Sequence, residues 1–245
     1  MQNDSNCIIL NKVNKYFGDK QVLSDIDLKI PYGSIYGLLG PSGCGKTTTV
    51  KIMSGILEAT SGEAFVLGEK MPKLSLMNQI GYMAQSDALY TAMSAYENLK
   101  FFARLYGMKK TDINERINEV IALMKLTEDL HKPVALYSGG MKRRLSLAMA
   151  ILHNPKVLIL DEPTVGIDPL LRKDIWIELY RIADQGVTIL VTTHVMDEAE
   201  KCHQLAMMRN GRVIAEGTPL ELQERINMKS LEDAFIYYGG IGYEN

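Results

Sequence analysis

The sequence predicts an α/β fold around a mainly parallel sheet, with antiparallel strands near the N-terminus and a helical subdomain inserted into the core. Three observations carry that prediction. Short apolar runs without polar alternation recur between helical stretches, as expected of strands covered on both faces. The glycine-rich segment "GPSGCGKTTTV", Gly40 to Val50, stands where one such run, "SIYGLL", hands over to a helix. Between roughly residues 94 and 153 the strand signal stops and three helical segments follow one another.

In chain order, the β-rich runs predict strands at residues 8–10, 35–39, 64–67, 80–83, 157–160, 187–192 and 204–208. Apolar residues at helical spacing predict helices at 46–54, 170–183, 196–201 and 220–226. The segments "SAYENLKFFARLYG", "TDINERINEVIALMKL" and "GGMKRRLSLAMAILH" supply the inserted helices. The expected organisation is a single domain over 1–245, with residues 1–93 and 154–245 forming the α/β core and 94–153 the helical subdomain. At 245 residues, with 47% hydrophobic and 23% charged, the chain has globular composition and can bury a substantial core. Its 27 basic and 29 acidic residues give a formal charge of −2, so no overall positive field exists to hold nucleic acid. No run of about 18 apolar residues occurs, and "MQNDSNCIIL" lacks the pattern of a secretion signal, which predicts a soluble, cytosolic chain. Cys7, Cys44 and Cys202 are odd in number and irregularly spaced, so neither a disulfide framework nor a zinc site is indicated.

The glycines have a chemical reading. Gly40, Gly45, Lys46 and Thr47 fit G-x-x-x-x-G-K-[ST] in the strand-to-helix context that the motif requires. Glycine lets successive N–H groups turn inward and form an anion nest at the positive end of a helix. Over Gly40, Pro41, Ser42, Gly43, Cys44, Gly45, Lys46, Thr47 and Thr48 this predicts a nucleotide-phosphate site, with Lys46 reaching the β- and γ-phosphates and Thr47 ligating Mg²⁺. Cys44, near the positive helix end, is expected to have a lowered thiol pKa and to be open to alkylation. In "KVLILDEPT", Asp161 and Glu162 follow an apolar strand at the edge where α/β sheets place ligand-binding groups. Asp161 suits the Mg²⁺ shell and Glu162 suits orienting or deprotonating a water. Pro163 is expected to keep Glu162 extended.

With these residues in hand, the chain resembles the ATP-binding subunit of an ABC transporter, over essentially its whole length. "YSGGMKRR", from Tyr137 to Arg144, resembles the family signature and lies between the two nucleotide motifs. Lys142, Arg143 and Arg144 crowd the start of a helix, where positive charge opposes the dipole, and an anion there would relieve the conflict. The resemblance implies that Tyr137, Ser138, Gly139, Gly140 and Met141 face the ATP of a second subunit in a head-to-tail dimer. It implies a Q-loop role for Gln85 at the metal and water, a switch role for His194 at the γ-phosphate, and a D-loop role for Asp168 across the dimer. An aromatic at the end of "NKYF" should stack on adenine, Phe17 rather than Tyr16 by alignment on the following glycine, though either could be core.

Tyr137 and Met141 replace the usual leucine and glutamine of the signature, a variant similar to drug and antibiotic exporter ATPases. The chain also ends soon after the core, without the regulatory domain of some sugar-importer ATPases. Together these tilt the expectation toward export. A separately encoded transmembrane permease is implied, with the chain at the cytoplasmic face of the membrane and dimerised with itself or with a paralogue. Leu89, Tyr90 and Met93, in "DALYTAM", are candidates for the permease groove or for ordinary core packing. The main rival is a soluble ABC-type ATPase of translation or DNA repair, which would bring a second core or a long coiled coil. A GTP switch is weaker, since no N-K-x-D follows the phosphate loop.

Overall fold

The computed structural model describes residues 5–86 and 88–240. Residues 1–4, Asp87 of "DALYTAM", and residues 241–245 lie outside them. The elements run β1 (Asn6–Phe17), β2 (Lys20–Pro31), β3 (Ile35–Leu39), α1 (Lys46–Met53), β4 (Ser61–Val66), β5 (Glu69–Lys70), β6 (Ile80–Met83), α2 (Ala95–Leu105), α3 (Ile113–Leu123), α4 (Gly139–Ile151), β7 (Val157–Asp161), α5 (Pro169–Asp184), β8 (Thr188–Thr193), α6 (Met196–Ala199), β9 (Gln204–Arg209), β10 (Arg212–Gly217), α7 (Pro219–Glu224) and α8 (Leu231–Tyr238). Among the described residues no helix is long and apolar enough to cross a membrane. The fold is α/β, as expected.

The chain forms two compact units, one comprising residues up to Leu74 and from Thr188 onward, the other Ser75–Val187. In the first unit, β2, β1, β4 and β5 make an antiparallel sheet in that order. The expected strand at 8–10 lies in the N-terminal half of β1, which runs on to Phe17, and β2 is an addition. Its signal is period-2 alternation: Ile26, Leu28 and Ile30 are buried while Asp25, Asp27 and Lys29 are exposed. A second set of strands in this unit runs β10, β9, β3, β8, with β3 parallel to both β8 and β9 and β10 antiparallel at the edge. Every residue of β3 and β8 is buried, which accounts for their uninterrupted apolar runs. Leu39, Leu205, Met207, Leu222, Leu231 and Ala234 close a cluster beneath α7 and α8. Each large apolar side chain fully buried there contributes about 1.5–3 kcal/mol.

In the second unit β6 and β7 pair in parallel, and α2, α3 and α4 pack on one another. Ala95, Leu99 and Ala103 line one stripe of α2, four residues apart, and Ile113, Ile117, Val120 and Ile121 line α3. Ser94 and Glu97 form a reciprocal capping box at the start of α2. At the start of α5, Asp168 accepts the Leu171 N–H at 3.0 Å, with Pro169 in the first helical position.

Candidate functional site

The first unit carries the phosphate loop. Strand β3 ends at Leu39, and the Gly40 N–H then donates to Thr193 O at 3.2 Å, anchoring the loop to the end of β8. A Cβ on Gly40 would lie 2.4 Å from Met208 O and 2.6 Å from Cys44 Sγ, so only glycine fits. Gly45 caps α1 at φ 113°, and a Cβ there would strike Leu23 Cδ2 at 2.6 Å. Because the cap is glycine, no side chain caps the first turn, and that turn holds no acidic residue. The helix therefore presents its positive end with no built-in anion. Lys46 is 5% exposed, and its Nζ donates to Gly40 O at 2.6 Å and Pro41 O at 3.2 Å, which holds the ammonium over the loop. Pro41, Ser42 and Gly43 form an exposed rim, while Thr47 and Thr48 are half-buried in the first turn. This donor set fits a polyphosphate: backbone N–H groups, one cation and two hydroxyls.

Cys44 corrects an expectation. It is buried, and desolvation raises its thiol pKa, outweighing the nearby Lys46 charge and the hydrogen bonds that lower it. Cys44 is thus expected to react with iodoacetamide at neutral pH more slowly than a solvated cysteine peptide in the folded protein, and at the peptide's rate in denaturant. Time-resolved mass spectrometry checks this; native labelling at the peptide's rate contradicts it.

His194 is exposed immediately after β8. The turn that carries it is tied by Thr193, whose hydroxyl donates to Glu198 at 2.6 Å and accepts the Val195 N–H at 3.0 Å. At the end of β1, Phe17 is 51% exposed with Lys15 Nζ 5.2 Å from its ring centroid, and Tyr16 is exposed too. Neither is a core aromatic.

The second unit carries the acidic pair. Asp161 ends β7 and is fully buried, and Glu162 follows at 8% exposure. Glu162 is not extended as expected: its φ is 52°, in the left-handed region. Proline ordinarily leaves its predecessor extended, and the left-handed conformation here accompanies hydrogen bonds from Arg143 to the carbonyls of residues 161–163. For a residue other than glycine such backbone costs on the order of 1–3 kcal/mol. Gln85, two residues beyond β6, places Nε2 3.4 Å from Glu162 Oε2. Tyr82 on β6 has its phenol pushed up to about 12, first by burial and then by the Asp161 charge.

The basic cluster at the start of α4 also departs from expectation. Only Lys142 keeps the position predicted for the whole cluster. Arg144 Nη1 donates to Met124 O and Lys125 O, just past the end of α3, at 2.9 and 3.0 Å. Arg143 is buried, and its guanidinium donates to the carbonyl oxygens of Ala84 (2.8 Å), Gln85 (2.9 Å), Asp161, Glu162 (2.5 Å) and Pro163 (3.3 Å). These two guanidinium groups are solvated by chain carbonyls, and their donors point into the fold rather than toward an anion at the helix start. Ser138 and Gly139 are exposed at the helix start, Gly140 and Met141 are half-buried, and Ser138 Oγ accepts the Met141 N–H at 3.2 Å. Tyr137 turns inward, its hydroxyl donating to Asp129 O at 2.7 Å.

Sequence reasoning missed Arg143's place and also Asn98. That asparagine is fully buried on α2, accepts the Tyr90 N–H at 2.9 Å and donates to Tyr90 O and Ser94 O, fixing the segment after Gln85. A polar residue beside Leu99 in the buried stripe was its signal. Within that segment Leu89 and Met93 are half-buried, and Tyr90 is exposed, edge-on to Phe101 at 5.3 Å.

Comparison with known proteins agrees with this arrangement. A family model described as ABC transporter matches residues 23–165, more than half of the chain. The chain is 40% identical over 216 residues to the Nod factor export ATP-binding protein I of Cupriavidus metallidurans, covering 87% of this chain and 71% of that protein. It is also 40% identical over 214 residues to the probable multidrug ABC transporter ATP-binding protein YbhF of Escherichia coli, covering 86% of this chain but only 37% of that longer protein. A solved ATP-binding subunit of an ABC transporter superposes with a TM-score of 0.88 at 26% identity, covering 95% of this chain and 99% of that one. The matched region holds the phosphate loop, Gln85, the Tyr137–Arg144 signature stretch and both carboxylates, so the chain belongs to the ABC transporter family.

Proposed function

We propose that this protein binds and hydrolyses ATP to power export through a separate transmembrane subunit, at the cytoplasmic face of the membrane. The observation that carries the reading is the uncapped, acid-free start of α1, with Lys46 held above it by the Gly40 and Pro41 carbonyls. The names of the relatives, multidrug and Nod factor export ATP-binding proteins, favour export.

In this reading the N–H groups of residues 43–48 and the Lys46 ammonium bind the β- and γ-phosphates. Thr47, Gln85 and Asp161 offer a hydroxyl, an amide oxygen and a carboxylate, a hard all-oxygen set suited to Mg²⁺, which when bound neutralises charge on the phosphates. Glu162 accepts the proton of the attacking water, and Gln85 helps orient it. Its burial strengthens that role by keeping the carboxylate out of bulk solvent. His194 donates to the γ-phosphate, and the exposed Phe17 ring stacks on adenine. Ser138, Gly139, Gly140 and Met141 meet the nucleotide of a second subunit, with Asp168 near that interface; Tyr137 supports them from beneath rather than by direct contact. Residues 94–153 act as an inserted helical subdomain, and Leu89, Tyr90 and Met93 form part of the permease groove. The dimer pairs this chain with itself or with a paralogue.

The test is affinity purification of tagged Glu162→Gln protein, with Mg-ATP, from detergent-solubilised membranes, followed by mass spectrometry. A stoichiometric polytopic partner is the expected result. Recovery of only soluble proteins, ribosomes or DNA overturns the transport reading in favour of a soluble ATPase.

A further inference from the structure

Arg143 is buried in the second unit, two residues beyond Met141, the last of the signature positions. A guanidinium has five N–H donors in a rigid plane, and this one meets five carbonyl oxygens. Nη1 takes Ala84 and Gln85; Nη2 takes Asp161 and Glu162; Nε takes Pro163. The acceptors fall in two segments more than 70 residues apart in sequence, one following β6 and the other ending β7. One of them is the carbonyl of Glu162, whose backbone is in the left-handed region, and the Gln85 and Glu162 side chains lie 3.4 Å apart.

We propose that Arg143 is a positioning residue that locks the Gln85 and Glu162 segments into one rigid constellation and holds Glu162 in its strained conformation. The inference rests on the ATPase reading for its catalytic consequence, but the clamp itself concerns only this chain's backbone. Every donor is used, so a shift of either segment breaks bonds to the same planar group that holds the other. The group is carried on α4 at its fifth residue, one turn beyond Ser138 and Gly139. A displacement of that helix start therefore reaches both segments at once. Lysine cannot substitute, because an ammonium offers three donors from a single point and cannot span the five acceptors.

The experiment compares the full chain with its Arg143→Lys variant. Amide hydrogen exchange is measured without nucleotide, and steady-state ATP hydrolysis with it. Expected is a rise in exchange of about tenfold or more in peptides covering both residues 84–86 and 162–165, with α1 and α8 unchanged. In the same variant kcat falls about 10–100-fold while KM for ATP stays within about twofold, the pattern of misplaced groups rather than lost binding. Unchanged exchange, a rise in only one segment, or a parental kcat overturns the proposal. If the parent itself hydrolyses no ATP, the ATPase reading falls and the exchange result alone decides the clamp. Should Arg143→Lys fail to fold, Arg143→Gln is read in the same way; if neither folds, Arg143 is a core strut and the positioning assignment falls.

Discussion

Glu162→Gln is expected to retain ATP binding while losing turnover by about 10²–10⁴-fold, the range associated with a positioned general base. The substitution is nearly isosteric, and the site tolerates it for identifiable reasons. The backbone at 161–163 is held by the Arg143 guanidinium, which the substitution does not touch. The contact from Gln85 Nε2 can be kept by the new amide oxygen, which accepts a hydrogen bond as the carboxylate does. What is lost is the capacity to take a proton. With hydrolysis blocked, the ATP-bound protein should accumulate as a dimer, because the step that separates the subunits no longer occurs. Turnover assays together with size-exclusion chromatography in Mg-ATP check both halves. Near-parental turnover removes Glu162 from its role as base; lost turnover without a dimer argues against the head-to-tail sandwich.

Residues whose chemistry is local were legible in the sequence, and those whose role depends on long-range contacts were not. The phosphate loop could be read because its motif is local: Gly45 in the left-handed cap and Lys46 beside it follow an apolar strand covered on both faces, whereas the approach of Met208 O that excludes a Cβ at Gly40 comes from a distant strand. Strands 35–39 and 80–83 were placed to the residue for the same reason, as buried strands bounded by abrupt changes in polarity. Strand β2 was missed although Ile26, Leu28 and Ile30 alternate, because "KQVLSDIDLKI" carries more polar than apolar residues and invites a loop reading. The conformation of Glu162 could not have been read from Pro163 alone. It is set by Arg143, which lies 19 positions earlier and looks in sequence like one member of a solvated basic run. Cys44 failed similarly: proximity to a helix start suggested an activated thiol, but burial beside Gly40 dominates.

Lys46→Ala separates binding from chemistry in the opposite sense. The ammonium is nearly buried and fixed by two loop carbonyls, so its position is set before any phosphate arrives and little ordering is needed on binding. A charge-assisted hydrogen bond of this kind contributes about 1.5–3 kcal/mol, which corresponds to roughly 10–150-fold in affinity. Removing it should raise the ATP dissociation constant by at least that factor. Fluorescent-nucleotide titration without Mg²⁺ isolates the lysine's share from that of the metal. Lys46→Arg should not rescue binding, because a planar five-donor fork is larger than the space beneath Gly40 and Pro41 and cannot act as a point charge there. Thermal melting should fall for Lys46→Ala, since the buried Gly40 O loses its 2.6 Å partner while Pro41 O, on the exposed rim, can turn to water, so the titration is made well below the variant's melting temperature. Parental affinity in the alanine variant would move the phosphate site away from this loop. Loss of affinity there, beside retained affinity in Glu162→Gln, would assign binding to the first unit's loop and chemistry to the second unit's carboxylate.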